Sequence, residues 1–311
     1  MSIAIPVLDW SRFESGADRA GFVADLGRAC RETGFFLVSG HGIPESLIYE
    51  TFRVADAFFD LPVAEKAPLD IRKFGTNRGW TAEGSENLDD TTTQVDRKEA
   101  FNIGLEMAAD DPRILSGEPF RGINHWPENL PGFKDTALAY FAAVHQLGID
   151  LHRPIALDLG LDEHYFAPSL DAPLATLRML RYPGGNRDGD AIGAGAHTDY
   201  GSITLLMTDD EPGLQVRPRG GDWIDVPQIP GAFIVNIADC LMRWTNDIYV
   251  STPHRVLVPQ RVRRSLAFFL DPNPEAVISA LPGTGQAKYP PVTGAEYLKM
   301  RLDATYTPEP A

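Results

Sequence analysis

The sequence lacks the patterns that mark secreted, membrane-spanning and disulfide-stabilised proteins. Its 311 residues include two cysteines, Cys30 and Cys240, too few for a disulfide framework and without the paired spacing of a structural zinc site. No apolar run approaches the roughly 20 residues of a membrane span. The first residues place Asp9 and Arg12 where a signal peptide would be apolar. We therefore expect a cytoplasmic protein with no membrane partner.

Basic charge is also scarce. The chain has 28 Lys and Arg against 43 Asp and Glu, a formal net charge of -15. Such a surface repels phosphate backbones, so we do not expect nucleic acid as a partner. A hydrophobic fraction of 43% is enough for a substantial core in one large domain or two closely packed ones. We expect a small-molecule partner, and the composition predicts no oligomeric state.

Helical patterns dominate the first part of the chain, and strand patterns dominate the last. Apolar residues recur at helical spacing in residues 17–34, 44–62 and 133–159, and "FFLVSG" at residues 35–40 reads as a buried strand. After residue 173 the chain breaks into short strand-like runs between Gly and Pro residues, which favours an antiparallel sandwich or barrel. Thr293-x-x-Glu296 has the spacing of a capping box at the start of a final helix.

Two polar stretches in the middle of the chain suggest surface structure. Residues 73–93 contain three glycines and are predicted to be loop, with Arg78 and Trp80 as candidates to line a cleft, together with Phe101. Residues 96–99, "DRKE", are predicted to be a solvated charge cluster.

The motif "AGAHTDYGSITLLM" places His197 two positions before Asp199. In an extended chain these side chains share a face and can converge on one ion, although the same residues could form a polar turn. His254 begins a strand-like run and is the best third ligand, because the other histidines lie in predicted helices or loops. Two histidines and one carboxylate form the facial triad of non-haem iron(II) oxygenases.

A second polar group follows His254. Arg263 and Ser265 are two positions apart on a predicted strand, and Tyr182 lies at the end of another. A guanidinium beside a hydroxyl suits a carboxylate, which these side chains can bind through charge-assisted hydrogen bonds. A metal beside a carboxylate pocket suggests an α-keto acid that chelates iron at one end and is held by arginine at the other.

Motifs spread over nearly the whole chain are similar to those of one enzyme family: "IPVLDW", "CRETGFFLVSGHGIP", "DRKEAFNIG", "INHWPENLPGF", "HTDYGSITLL", "IVNIADCLMRWTNDIYVSTPHRV" and "RRSLAFFLDPNP". The chain resembles the isopenicillin N synthase-like branch of the iron(II)- and 2-oxoglutarate-dependent dioxygenases. The resemblance implies a mainly β fold with flanking helices, a double-stranded β-helix or jelly roll. It implies an N-terminal helical region at residues 1–120 and an oxygenase region at 121–311, with the jelly-roll core at about 173–275.

The resemblance also implies the site. The iron(II) ligands would be His197, Asp199 and His254. The 2-oxoglutarate contacts would be Arg263, Ser265 and Tyr182. Many plant relatives have an asparagine where this chain has Leu180, so one co-substrate contact is expected to be missing or replaced.

The implied activity is a dioxygenase reaction in which O2 and 2-oxoglutarate are consumed and succinate and CO2 are released. The small organic substrate would be hydroxylated, desaturated, demethylated or cyclised. One alternative is an iron-dependent oxidase of the isopenicillin N synthase type, in which Arg263 and Ser265 hold a carboxylate of the substrate itself. A second is a non-catalytic metal-binding jelly-roll module.

Overall fold

The computed structural model describes residues 4–86, 95–185 and 192–306. Its helices are α1 (Ser11–Glu14), α2 (Arg19–Glu32), α3 (Glu45–Phe59), α4 (Val63–Lys66), α5 (Pro112–Leu115), α6 (Phe133–Asp158), α7 (Asp239–Trp244) and α8 (Gly294–Tyr306). Its strands are β1 (Val7–Asp9), β2 (Phe35–Ser39), β3 (Gly79–Thr81), β4 (Glu99–Gly104), β5 (Thr176–Tyr182), β6 (Ile192–His197), β7 (Ile203–Thr208), β8 (Leu214–Val216), β9 (Ile224–Asp225), β10 (Phe233–Ile237), β11 (His254–Leu257), β12 (Arg263–Leu270), β13 (Val277–Ile278) and β14 (Val292–Thr293).

Two sheets form the centre of the molecule. The larger sheet has the strand order β1-β2-β10-β7-β12-β5-β4-β3, and the smaller has the order β6-β11-β8-β9. Both are antiparallel except where β1 runs parallel to β2. A separate pair, β13 and β14, leads into α8.

Alternating side chains on the larger sheet serve two hydrophobic cores. In β2, Phe35 and Leu37 belong to the core shared with the smaller sheet, whereas Phe36 and Val38 belong to the core shared with the helices. This alternation is the period-2 pattern of a strand buried on both faces. The larger sheet is therefore covered by helices on one side and by the smaller sheet on the other, which is the jelly-roll arrangement that the family resemblance implies.

The long helix α6 packs against the helix-facing side of the larger sheet. It runs through Pro154 to Asp158 and buries its apolar stripe, as its spacing predicts. At Gly148 an added Cβ would lie 2.7 Å from the Leu270 side chain, so the absence of a side chain lets the helix approach β12 closely. Among the described residues, no helix has both the length and the apolar character needed to cross a bilayer.

The "DRKE" prediction was wrong for three of its four residues, since only the Arg97 side chain is substantially exposed. Asp96, Lys98 and Glu99 are all at least 90% buried, and Lys98 forms an ion pair with Asp96. Glu99 begins β4 and accepts a hydrogen bond from Lys66 at 2.8 Å. These charges are paired inside the fold rather than solvated. Of the stretch predicted as loop, Gly79–Thr81 is a strand, and residues 87–93 lie outside the described residues.

Candidate metal centre

The three candidate ligands meet at the edge of the smaller sheet. His197 ends β6 and His254 begins β11, and the two residues are paired across the ladder. Asp199 follows in the turn after β6, and its Oδ1 lies 3.7 Å from Nε2 of His197 and 3.5 Å from Nε2 of His254. The three potential ligand atoms lie within 4.8 Å of one another. Atoms that each lie about 2 Å from one ion are separated by about 3 to 4 Å, so the cluster fits a single metal.

Backbone carbonyls orient both imidazoles. Nδ1 of His197 lies 2.7 Å from the carbonyl oxygen of Gly195, and Nδ1 of His254 lies 3.2 Å from that of Thr252. A carbonyl can only accept, so each Nδ1 donates. The Nε2 lone pairs therefore remain available on the side of Asp199, as in metal-binding histidines whose other ring nitrogen is held by a backbone acceptor.

Two residues that the sequence did not single out hold the carboxylate of Asp199. Its Oδ2 accepts hydrogen bonds from the Thr204 hydroxyl at 2.6 Å and from the Asn236 amide at 2.9 Å. The other oxygen, Oδ1, therefore faces the histidines. Thr204 and Asn236 are polar residues inside otherwise apolar strands, and this is the signal in the sequence that could have revealed them.

The electrostatics favour metal-binding protonation states at His197 and Asp199, whereas the pKa of His254 is raised by the Asp199 carboxylate although burial alone would lower it. Burial lowers the pKa of His197 to about 4, and the neighbouring His254 adds to this effect. Although burial alone would raise it, the pKa of Asp199 is held well below its usual value by His254. At neutral pH the cluster offers a carboxylate and an uncharged imidazole at His197. Two imidazoles and one carboxylate are a donor set that suits iron(II).

A cavity of about 370 Å³ lies between the two sheets and contains the cluster. The same cavity is lined by Tyr182, Arg263 and Ser265. Arg263 is 1% exposed, and its Nε and Nη1 donate to no protein atom among the described residues. Buried donors of this kind require an acceptor, and a carboxylate has the matching geometry.

Tyr182 and Arg263 are direct partners across the β5–β12 ladder, and Leu180 faces Ser265. The Arg263 guanidinium lies 5.1 Å from the centre of the Tyr182 ring. Leu180 also lines the cavity, where it offers an apolar surface. The sheet therefore brings together the three residues that the sequence predicted as the carboxylate pocket.

The predictions for the rest of the cavity wall were partly wrong. Arg78 lines the cavity, but Trp80 and Phe101 belong to the helix-facing core. Trp80 is held there by a hydrogen bond from its Nε1 to Glu99 at 3.0 Å. They were misplaced because alternation along β3 and β4, two strands that the sequence did not reveal, turns their side chains away from the cavity.

The C-terminal helix closes one side of the cavity through Leu298 and Leu302. Arg301 of the same helix forms an ion pair with Asp239 at 2.9 Å, and Asp239 accepts a hydrogen bond from the Thr198 hydroxyl at 3.0 Å. Thr198 separates His197 from Asp199 in the sequence. The helix is thus tied to the turn that carries the candidate ligands.

Two family models match the chain. One, described as the 2OG-Fe(II) oxygenase superfamily, matches residues 173–272. The other, described as the N-terminal region of the non-haem dioxygenase in morphine synthesis, matches residues 5–129. The first covers β5 to β12, a range that includes the three candidate metal ligands and Arg263, and the second covers α1 to α5.

Curated proteins and solved structures of similar sequence agree with these models. The 2-oxoglutarate-Fe(II) type oxidoreductase hxnY of Emericella nidulans is 38% identical over an alignment of 317 positions, which covers 97% of this chain and 90% of that protein. A homoarginine-6-hydroxylase of Glycine max is 36% identical, covering 89% of this chain and 88% of the relative. The crystal structure of a full-length Neurospora crassa protein in complex with alpha-KG and thymine has a TM-score of 0.85 and 32% identity, and the match covers 97% of both chains.

Proposed function

The chain belongs to the 2OG-Fe(II) oxygenase superfamily, and on this basis we propose that it hydroxylates a C–H bond of a small organic molecule. It is an iron(II)- and 2-oxoglutarate-dependent oxidoreductase that uses O2 as co-substrate. The hydroxylase among its relatives supports hydroxylation as the outcome. The comparisons give no support to a 2-oxoglutarate-independent oxidase or to a non-catalytic metal-binding module.

The observation that carries the proposal is one cavity that holds both the metal cluster and the unsatisfied donors of Arg263. In our assignment His197, Asp199 and His254 hold the iron. Iron(II) with bound 2-oxoglutarate supplies the activation of O2, and the reaction releases succinate and CO2. The contribution of the chain is to orient these groups and to exclude water from the reacting centre.

The co-substrate pocket is assigned to Arg263, Ser265 and Tyr182. Arg263 offers buried donors for the carboxylate at the end of 2-oxoglutarate opposite the keto group. Leu180, on the same wall, helps keep this part of the cavity dry, which strengthens the charge-assisted contact. The homoarginine-6-hydroxylase of Glycine max and the Neurospora crassa structure in complex with thymine support a small organic molecule as substrate. We place the protein in the cytoplasm, because both of its cysteines are free and buried.

The test combines metal binding with co-substrate turnover. Anaerobic calorimetric titration should give one Fe(II) per chain, followed by one 2-oxoglutarate, and aerobic incubation should release succinate. We expect His197→Ala and Asp199→Ala to lose Fe(II) binding and succinate release while the circular dichroism spectrum stays native. His164→Ala is the matched control, because His164 is exposed and does not line the cavity. Succinate release that survives in either ligand variant would overturn the assignment.

A further inference from the structure

Four cationic side chains line the cavity, and two of them have no acidic partner among the described residues. The four are Lys98, Arg178, Arg263 and Arg78. Lys98 forms an ion pair with Asp96, and Arg178 forms one with Glu86. Arg263 belongs to the proposed co-substrate pocket. Arg78 therefore remains as a cation in the cavity that neither the described part of the fold nor the co-substrate neutralises.

The surroundings of Arg78 supply almost no acceptor. The residue is 5% exposed, and its one hydrogen bond to the described protein runs from Nη1 to the backbone oxygen of Asn77, at a long 3.3 Å. Its Nε donates to no atom of the described residues. The charged group that acts on it is another cation, Arg121, and burial together with Arg121 lowers the pKa of Arg78 to about 10. Arg78 is thus protonated at neutral pH, and an unpaired buried charge is costly unless a ligand compensates it.

Arg78 and Arg263 lie at opposite ends of the same cavity wall. The Arg78 guanidinium packs against Gly104, where an added Cβ would come within 1.9 Å of Nη2. Gly104 pairs with Thr176, the first residue of β5, whereas Arg263 pairs with Tyr182, the last. Six residues of a strand span about 20 Å. The two arginines can therefore hold two different molecules at once.

The candidate metal ligand Asp199 lies toward the Arg78 end of this wall. Its hydrogen-bond partner Thr204 is paired with Phe269, which in turn is paired with Thr176. A molecule anchored by Arg78 is therefore held at the end of the wall that carries Asp199, whereas the co-substrate carboxylate is held by Arg263 at the other end.

We propose that Arg78 binds a carboxylate of the molecule that the enzyme oxidises, so that its substrates are small carboxylic acids. The guanidinium fork matches a carboxylate in geometry and charge. Asn77 lines the cavity beside it; its Oδ1 accepts from Asn102 at 2.9 Å, which leaves its own amide nitrogen, within the described part of the chain, as a further donor. The reaction performed on such an acid rests on the proposed function, whereas its binding by Arg78 can be measured separately.

The test uses pairs of probes of nearly equal shape, of which one carries a carboxylate and the other an uncharged amide. The panel consists of aliphatic, aromatic and α-amino monocarboxylic acids, each paired with its primary carboxamide. Binding is measured as an increase in the melting temperature of protein saturated with Mn(II) and 2-oxoglutarate. These two ligands occupy the metal cluster and the co-substrate pocket but do not support turnover. We expect at least one acid to raise the melting temperature and its amide to bind about 10- to 100-fold more weakly, the range expected for losing one charge-assisted contact.

Variants separate a binding role for Arg78 from a structural one. Arg78→Gln should weaken binding of that acid about 10- to 100-fold and leave 2-oxoglutarate affinity unchanged, and Arg78→Lys should fall between it and the wild type. Gly104→Ala keeps the charge but displaces the guanidinium, and should also weaken acid binding. Arg72→Gln is the matched control, because Arg72 is an exposed arginine of the same segment and should bind the acid normally. If Arg78→Gln fails to fold, the acid affinities of Arg78→Lys and Gly104→Ala test the inference in its place.

Three results would overturn the inference: no acid of the panel binds, acid and amide bind equally, or the Arg78 and Gly104 variants bind the acid as well as the wild type does. Different results would contradict the proposed function. A wild-type protein that binds acids through Arg78 but releases no succinate from 2-oxoglutarate contradicts the oxygenase reaction and leaves the binding role of Arg78 intact.

Discussion

At the scale of single residues, the two oxygens of Asp199 are used differently. Oδ2 is held by Thr204 and Asn236, and Oδ1 faces the two histidines. A carboxylate held in this way loses little side-chain entropy when it binds a metal, because its rotamer is already fixed. The donors around Asp199 should therefore contribute to metal affinity although they do not touch the metal.

Replacing Thr204 by valine tests this contribution. The change removes the 2.6 Å hydrogen bond to Asp199 and preserves side-chain shape. We expect Fe(II) affinity to fall about 10- to 100-fold, the usual effect of losing a residue that orients a metal ligand. Anaerobic titration with Fe(II) measures this affinity. Thr208→Val, in the same strand, is the control, because Thr208 does not line the cavity and is not one of the two residues that donate to Oδ2 of Asp199; an equal loss in both variants would contradict the explanation.

Arg263 and Arg264 are adjacent in β12 but lie on opposite faces of the sheet, so their substitutions should affect 2-oxoglutarate binding differently. Alternation places Arg263 in the cavity and Arg264 on the opposite face, where it bonds Asp56 at 2.7 Å. Arg263→Ala removes a contact worth about 1.5 to 3 kcal/mol, so the Kd for 2-oxoglutarate should rise at least tenfold. Arg264→Ala should leave it unchanged. Calorimetric titration distinguishes the two, and equal affinities for wild type and Arg263→Ala would mean that the co-substrate binds elsewhere.

At the scale of secondary-structure elements, local spacing predicted most of the strands but not their partners. The runs after residue 173 became β5 and β7 to β12, and Thr293-x-x-Glu296 became the start of α8. His197 and Asp199 could be read as ligands because their spacing is local. The partner of His197 is 57 positions away, and only the predicted strand at His254 suggested it.

The charged residues 96–99, which lead into β4, show why the remaining parts could not be predicted. Their sequence is typical of a protein surface, because the burial of such side chains depends on partners that are distant in the chain. Glu99, for example, is neutralised by Lys66 and by Arg181, which lies at 2.8 Å. The environment of Arg78 is similarly non-local, since Arg121 and Gly104 come from other segments. A single sequence does not carry such pairings in its spacing.

The capping box of α8 stabilises the start of the helix that closes one side of the cavity. The Thr293 hydroxyl accepts from the Glu296 amide at 3.2 Å, and the Glu296 carboxylate accepts from the Thr293 amide at 2.8 Å. Thr293→Ala should weaken the start of the helix by about 1 kcal/mol, so that amide hydrogens near Leu298 exchange about fivefold faster. Thr293→Ser keeps the cap and should exchange like the wild type. Unchanged exchange in the alanine variant would mean that packing alone holds the helix.

At the scale of the whole molecule, His152 connects the long helix to the metal-bearing turn. Its Nδ1 donates to the Gly148 carbonyl at 2.7 Å, so its Nε2 accepts from the Ser202 hydroxyl at 2.7 Å. Burial lowers the pKa of His152 to about 4. The folded protein therefore keeps this ring uncharged at a pH where the unfolded chain, with an ordinary histidine pKa of about 6.5, binds a proton.

This difference predicts how stability depends on pH. Between about pH 6.5 and 4 the unfolded state binds more protons at this position, so the free energy of unfolding falls as the pH falls, by up to about 1.4 kcal/mol per unit. In His152→Gln the decrease per pH unit should be smaller than in the wild type, whatever the stability of the variant at pH 7. Urea denaturation at pH 6.5, 5.75 and 5 measures the slopes. The exposed His164→Gln control should keep the wild-type slope, and a wild-type slope in His152→Gln would contradict the assignment.

The pairing of His197 with His254 also determines the order in which the site can assemble. In the unfolded chain only two of the three candidate ligands are neighbours, and closing a loop of 57 residues costs entropy that the sheet must recover through its hydrogen bonds. Sheet formation therefore precedes tight metal capture. Iron then acts on a finished fold, adding stability in proportion to the logarithm of its free concentration rather than directing the chain toward its structure.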